Sequence, residues 1–102
     1  MIKLYTGNTL VMPILINSTS ITDLTGSKIV CSAINRSTGE ETIKDPVIDG
    51  MMVTATLDAA DTLVPGIYTC EFRGIFNGII KTLDYDTVLV RDANIKEVIT
   101  ND

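Results

Sequence analysis

The sequence is built from short runs rich in isoleucine, valine and threonine, and the runs end at glycine, asparagine, aspartate or proline. β-Branched residues favour extended backbone, and the residues between the runs are those that tight turns require. No window combines an apolar period of about 3.6 residues with residues that cap helices. A chain of 102 residues fits one domain. We therefore expect a single all-β domain.

About seven strands are expected, with turns about eight to twelve residues apart, a spacing typical of a β-sandwich. The predicted strands span residues 2–5, 9–16, 28–35, 41–44, 51–57, 67–76 and 79–90. Asn77-Gly78, between the last two runs, predicts a two-residue type I′ hairpin. Pro13 has no N–H to donate, which predicts that its strand lies at a sheet edge or bulges there. Residues 58–63 predict a single helical turn capped by Asp58.

The composition excludes several classes of function. Eight Lys and Arg against thirteen Asp and Glu give a net charge of −5, and no basic cluster occurs, so we expect no nucleic-acid binding. The longest apolar stretch, residues 10–16, is too short to span a membrane. The amino terminus lacks the apolar segment and cleavage site of a signal peptide, so synthesis in a cytoplasm is expected.

The chain contains no histidine, which removes the commonest general base and the commonest metal ligand. Carboxylate pairs remain, and Asp84 and Asp86 are predicted to share one face of a strand. Such a pair could share a proton or hold Ca²⁺, but Ca²⁺ takes roughly six or more oxygens and no Asp-x-Asp-x-Asp-Gly loop is present. A solvent-facing stripe is the favoured interpretation. We predict no catalytic residue, no cofactor and no metal site, and hence no enzyme.

Cys31 and Cys70 are predicted to lie on central strands, where they alternate with apolar residues. As catalytic thiols they lack an adjacent base, and as zinc ligands they lack partners. A disulfide between the two sheets is one possibility, because antibody domains carry such a bridge. Buried, reduced thiols are favoured, because a cytoplasm opposes disulfides and free cysteine packs as a small hydrophobe.

Residues 61–70 read Asp-Thr-Leu-Val-Pro-Gly-Ile-Tyr-Thr-Cys, which is close to the pattern of a tyrosine corner. In that motif a tyrosine two residues before a cysteine bonds through its hydroxyl to the upstream backbone. Tyr68 is the candidate. Because the chain has no tryptophan to pack on a disulfide, we expect immunoglobulin-like architecture rather than an antibody-type domain.

Four turn motifs follow one another along the chain. They are Thr6-Gly7-Asn8-Thr9, Asp23-Leu24-Thr25-Gly26, Leu57-Asp58-Ala59-Ala60-Asp61-Thr62 and Pro65-Gly66-Ile67-Tyr68-Thr69. Their order resembles that in the immunoglobulin-like domains of tailed-phage structural proteins, such as the amino-terminal domain of baseplate upper proteins. The resemblance covers roughly residues 6–90, and turn motifs are more specific for a fold than for a role.

The resemblance implies an immunoglobulin-like antiparallel β-sandwich over residues 1–92, with a tail or docking arm at 93–102. It also implies a non-enzymatic virion protein, made in the host cytoplasm, whose partners are capsid or tail proteins. Because the chain stops at Asp102 instead of continuing into a fibre or receptor-binding region, a capsid decoration or accessory protein is expected. A tail or baseplate attachment module is the alternative.

The chain has more apolar side chains than one thin core needs, so self-association or docking on a partner is expected. The candidate interface residues in the tail are Ile95, Val98 and Ile99. Further apolar positions, some of which should be exposed, are Met51-Met52 and Ile79-Ile80. Because assemblies in phage particles follow the local lattice symmetry, a trimer is expected before a dimer.

A carbohydrate- or host-surface-binding module is the remaining alternative. Small sandwiches bind sugars by stacking them on exposed aromatic rings, and this chain has no Trp, three Tyr and two Phe. Tyr68 and Phe72 are predicted to lie in the core. That leaves at most Tyr5, Phe76 and Tyr85 for sugar binding.

Overall fold

The computed structural model describes residues 1–17, 24, 27–76 and 78–92. Within them the chain forms eight strands and one 3₁₀ turn, with no α-helix. The strands are β1 Ile2–Tyr5, β2 Leu10–Leu15, β3 Lys28–Asn35, β4 Glu41–Lys44, β5 Val47–Asp49, β6 Met52–Leu57, β7 Gly66–Phe76 and β8 Ile79–Arg91. The 3₁₀ turn, Ala59–Thr62, follows Asp58, which is its N-cap residue as predicted. The all-β prediction is confirmed.

Seven of these strands correspond to the predicted runs, and β5 is the additional one. It has three residues, all of them exposed. A strand this short has no alternation of buried and exposed positions, which is the signal that identifies a strand in a sequence.

Two sheets pack face to face. The strand order is β1-β8-β7-β3-β4 in the larger sheet and β2-β6-β5 in the smaller. All neighbours pair antiparallel except β1 and β8, which run parallel with Ile2 opposite Val88. The prediction of a purely antiparallel sandwich is therefore wrong at this edge. No hairpin links β1 to β8, so no turn dictates their relative direction.

The core lies between the sheets and is formed by alternate residues of the long strands. The smaller sheet contributes Met12, Val53, Ala55 and Leu57, and the larger contributes Ile29, Cys31, Ala33, Tyr68, Cys70, Phe72, Val88 and Val90. Tyr68 and Phe72 are core residues as predicted. Because strand side chains alternate, the residues between these point away from the core on both outer faces of the sandwich.

The hairpin between β7 and β8 carries the longest ladder of the fold. Phe76 pairs with Ile79, which leaves a two-residue loop, and Gly78 has a φ of 78°. A type I′ turn requires positive φ at both loop residues. The predicted position and length of the hairpin are confirmed, and Asn77 itself lies outside the described residues.

Pro13 lies in β2, an edge strand of the smaller sheet. This confirms the edge position predicted from its missing N–H.

Candidate functional site

The Asp84 and Asp86 pair is interrupted by a β-bulge. The register of β7 and β8 shifts between Cys70 and Glu71, so Asp84 lies opposite Glu71 and Asp86 lies opposite Cys70. Tyr85 is the extra residue of the bulge, and its ring packs against Phe72 at a centroid distance of 6.0 Å. Both carboxylates are nevertheless exposed and line the same shallow cleft beside Thr69 and Thr87, with Tyr85 turned toward the core, so the bulge does not carry them to separate surfaces.

A further pair of neighbouring carboxylates, Asp58 and Asp61, is engaged in structural contacts. The Asp61 carboxylate lies 2.6 Å from the Lys44 ammonium and accepts the N–H of Asp58 at 2.7 Å. The Asp58 carboxylate lies 3.4 Å from the same ammonium. The hydrogen bond to Asp61 raises the pKa of Lys44. The contacts join β4 to the 3₁₀ turn, a role for Lys44 that the sequence does not predict.

In the described part of the chain, no group of three or more His, Cys, Asp or Glu side chains is placed to hold a metal ion. A cleft of about 230 Å³ lies beside the 3₁₀ turn and includes Asn35, Glu40, Asp61 and Tyr68 in its lining. Asn35 Oδ1 accepts the backbone N–H groups of Ser37 and Thr38, and its Nδ2 donates to the carbonyl of Pro65. The amide is therefore engaged in holding the turn after β3.

The tyrosine corner is present. The Tyr68 hydroxyl donates to the carbonyl of Val64 at 2.6 Å, and the Tyr68 side chain is buried. Gly66, between them, has a φ of 144°, and a Cβ at this position would lie 3.0 Å from Asn35 Oδ1. The prediction from residues 61–70 is confirmed, with its physical role in tying the start of β7 to the chain before it.

Cys31 and Cys70 are free and buried. They belong to neighbouring strands of the larger sheet, where Cys31 lies opposite Phe72 and Cys70 opposite Ala33. A disulfide between the two sheets, the possibility left open above, is therefore wrong. Burial raises the pKa of Cys31 to about 11 and that of Cys70 to about 12, so neither is a nucleophilic thiolate near neutral pH.

An exposed isoleucine cluster, here called the hairpin patch, lies at the end of the β7–β8 hairpin. It consists of Ile75, Ile79 and Ile80, which are 43%, 59% and 66% exposed. Ile75 and Ile80 are cross-strand partners, and Ile79 precedes Ile80 in β8. The prediction that Ile79-Ile80 contributes exposed apolar surface is confirmed.

A second apolar surface, here called the open face, is the outer side of the smaller sheet. Its exposed apolar residues are Val11 and Leu15 of β2, Val47 of β5 and Met52 of β6. The register places Pro13, Thr54 and Thr56 between them. Met52 was expected among the exposed positions, but the open face as a whole was not predicted. The sequence holds one signal for it: β2 has no charged residue at its outward positions.

Of the three aromatic residues predicted to be available for sugar binding, Tyr5 and Tyr85 lie in the described part of the chain, and the Phe76 side chain lies outside it. Tyr5 is 49% exposed, whereas Tyr85 is half-buried against Phe72. The candidate interface residues Ile95, Val98 and Ile99 lie outside the described residues.

Comparison of the sequence with known protein families and with curated proteins finds no match to either. No helix in the described ranges is long and apolar enough to cross a membrane.

Proposed function

We propose that this domain is a non-enzymatic structural protein of a tailed-phage virion, which docks on other virion proteins. The capsid surface is its proposed location, as a decoration or accessory protein, and a tail or baseplate site is the alternative. The proposal combines the resemblance of the four turn motifs with the architecture of the sandwich and with its exposed apolar surface.

The finer proposal for the fold is an immunoglobulin-like sandwich. In that fold one sheet contains strands B, E and D in order, and the other contains C, F and G, with C′ beside C in the variable type. The smaller sheet follows the order B-E-D as β2-β6-β5, and β4-β3-β7-β8 follows C′-C-F-G. The tyrosine corner at the start of β7 supports this assignment. β1 departs from it, because it pairs with β8 rather than with β2.

Two of the four turn motifs behind the resemblance have structural roles in the described residues, whereas Asp23, Thr25 and Gly26 of the second motif lie outside those residues. The segment at residues 57–62 ends β6 and forms the 3₁₀ turn, and Pro65-Gly66-Ile67-Tyr68 carries the tyrosine corner. Motifs of this kind support a shared architecture and assign no catalytic residue.

The hairpin patch is the observation that carries the docking function. Ile75 and Ile80 form a continuous apolar pair on one face of the two-stranded ladder, and Ile79 exposes a third isoleucine on the other face. Clustered exposed apolar side chains of this kind mark an interaction site. The ladder continues through the sheet to Gly66 and Val90, so the patch is held in place before it binds. A preorganised surface loses little conformational entropy on binding.

The test is binding to the capsids and tails encoded with this protein, measured by cosedimentation and located by electron microscopy. The native chain should cosediment and add density to one lattice. The double variant Ile79→Asp/Ile80→Asp should bind at least about tenfold more weakly, because two carboxylates would have to be desolvated in the contact.

The matched control is Ile43→Asp. Ile43 is 52% exposed on β4, an edge strand that β3 separates from the hairpin. This variant should bind like the native chain. If the native chain binds neither capsids nor tails, the virion role is wrong; if both variants bind alike, the hairpin patch is not the contact. The tail residues Ile95, Val98 and Ile99 remain a second proposed contact.

A further inference from the structure

The open face differs from the other outer face of the sandwich in its charge. On the smaller sheet, one described outward residue is charged, Asp49 at the corner next to Met52. The outward residues of the larger sheet include charges of both signs: Lys3, Lys28, Glu41, Glu71, Arg73, Asp84 and Arg91. A surface with four exposed apolar side chains and one charge at its corner is suited to being covered.

The net charge restricts which partner suits this surface. Each chain carries −5, so two copies repel unless they meet through a surface that brings no carboxylates together. A charged protein partner would usually be met by complementary charges, which the open face does not offer. A face of this composition is compatible with an identical face.

We propose that the open face pairs with the open face of a second copy of this chain, across a two-fold axis. A contact between identical patches is isologous and closes as a dimer, the commonest symmetric assembly. β6 is the central strand of the face, so we place the two-fold axis over it, either along or across the strands. Asp49 lies on the edge strand β5, and either axis keeps the two Asp49 carboxylates about two strand spacings or more apart. This inference does not depend on the proposed virion role.

The size of the face sets the expected strength of the contact. Neighbouring strands lie about 4.8 Å apart, and a strand rises about 3.3 Å per residue. Three strands of up to six residues therefore form a face of roughly 14 by 20 Å. This is well below the roughly 800 Å² that each partner buries in a standard stable interface. The dimer is therefore weak and reversible, and forms at high local concentration.

The test is sedimentation velocity of the full chain from about 10 µM to about 1 mM, a range that brackets weak dissociation constants. The native chain should show a reversible monomer–dimer equilibrium. Leu15→Glu should raise the dissociation constant at least about tenfold, because two buried like charges oppose the contact. Val47→Glu, on the other edge of the same face, should do the same and replaces Leu15→Glu if that variant does not fold.

Ile43→Glu is the matched control, since it adds the same charge at a similarly exposed edge-strand position of the larger sheet. It should dimerise like the native chain. A native chain that stays monomeric at the highest concentration, or forms a trimer, overturns the proposal. So does a dimer that Ile43→Glu weakens as much as Leu15→Glu and Val47→Glu do.

Discussion

Cys31 and Cys70 illustrate how burial determines the chemistry of single residues in this domain. Each side chain is about 1% exposed, and desolvation is the leading cause of the raised pKa of both thiols. The negative charges that Cys31 and Asp86 can carry add to the effect at Cys70. A thiol kept protonated in an apolar core packs like a small hydrophobic side chain.

The raised pKa values make stability depend on alkaline pH. In the unfolded chain the thiols lose their protons near pH 9.0, whereas the folded chain holds them to about 11 and about 12. Their contribution is thus fully present below pH 9 and is lost as the pH rises toward the folded values, by up to about 1.4 kcal/mol per pH unit for each thiol. Urea unfolding between about pH 7 and about pH 10 should reveal this loss. Cys70→Ala should make the loss shallower, and an unchanged slope would contradict the assignment to this thiol.

The Tyr68 hydroxyl makes the most specific single contact at the start of β7. Tyr68→Phe removes its 2.6 Å bond to Val64 and should lower the free energy of unfolding by about 1 kcal/mol. The control is Tyr5→Phe, since the Tyr5 ring is 49% exposed and its loss of a hydroxyl should change stability very little. Urea denaturation measures both. Equal stability of the two variants would mean that the corner bond contributes nothing.

At the scale of elements, the β7–β8 hairpin links the two ends of the sandwich and carries the proposed docking patch. Its residues are fixed by long-range pairing: β7 is bound to β3 on one side and to β8 on the other. The two-residue loop at Gly78 sets the register of the whole ladder, because a shift of one residue would turn every side chain to the opposite face.

The turn residue can therefore be tested through stability. Gly78 has a φ of 78° with no atom within 4 Å of an added Cβ, so Gly78→Val acts through backbone strain rather than through a steric clash. We expect it to destabilise the protein by about 1 kcal/mol or more, since a β-branched residue resists positive φ. Ile80→Val, two residues on and 66% exposed, should cost much less. Thermal melts compare the two, and a Gly78→Val variant with the native melting temperature would contradict the type I′ turn.

The elements that sequence patterns predict are those with local signals. Asn77-Gly78 specifies the hairpin, Pro13 indicates an edge strand, and residues 61–70 carry the spacing of the tyrosine corner. Other features depend on pairing between remote strands and leave no such signal. The parallel pairing of β1 with β8 is one, and the bulge between Asp84 and Asp86 is another.

The hairpin patch and the open face also differ in whether a local sequence signal predicts them. Ile79-Ile80 is a short apolar pair beside a turn, so its exposure could be predicted from the sequence. The open face combines residues of β2, β5 and β6, and β2 is distant in sequence from the other two strands. Its scarcity of charges becomes visible only once the register shows which residues point outward.

At the scale of the whole molecule, the two outer faces and the hairpin end give the sandwich three different surfaces. One carries charges of both signs, one is apolar with a single charge at its corner, and the third is a small apolar patch at the tip of the β7–β8 ladder. Pairing through the open face would leave the hairpin patch of each copy available for a different partner. The two proposed contacts are therefore compatible with one another.

Removal of residues 93–102 tests how the proposed contacts are distributed over the molecule. Every core residue in the described ranges lies between Met12 and Val90, so the truncated chain should keep β-type circular dichroism and nearly the native melting temperature. If Ile95, Val98 and Ile99 form a contact, the truncation should weaken particle binding while the open-face dimer persists. Particle binding and sedimentation velocity are measured for the truncated chain and for the Ile79→Asp/Ile80→Asp variant. The comparison shows which surface is responsible for particle binding and which for dimerisation. A truncated chain that binds particles like the native one would remove the tail from the docking contact and leave the hairpin patch as its basis.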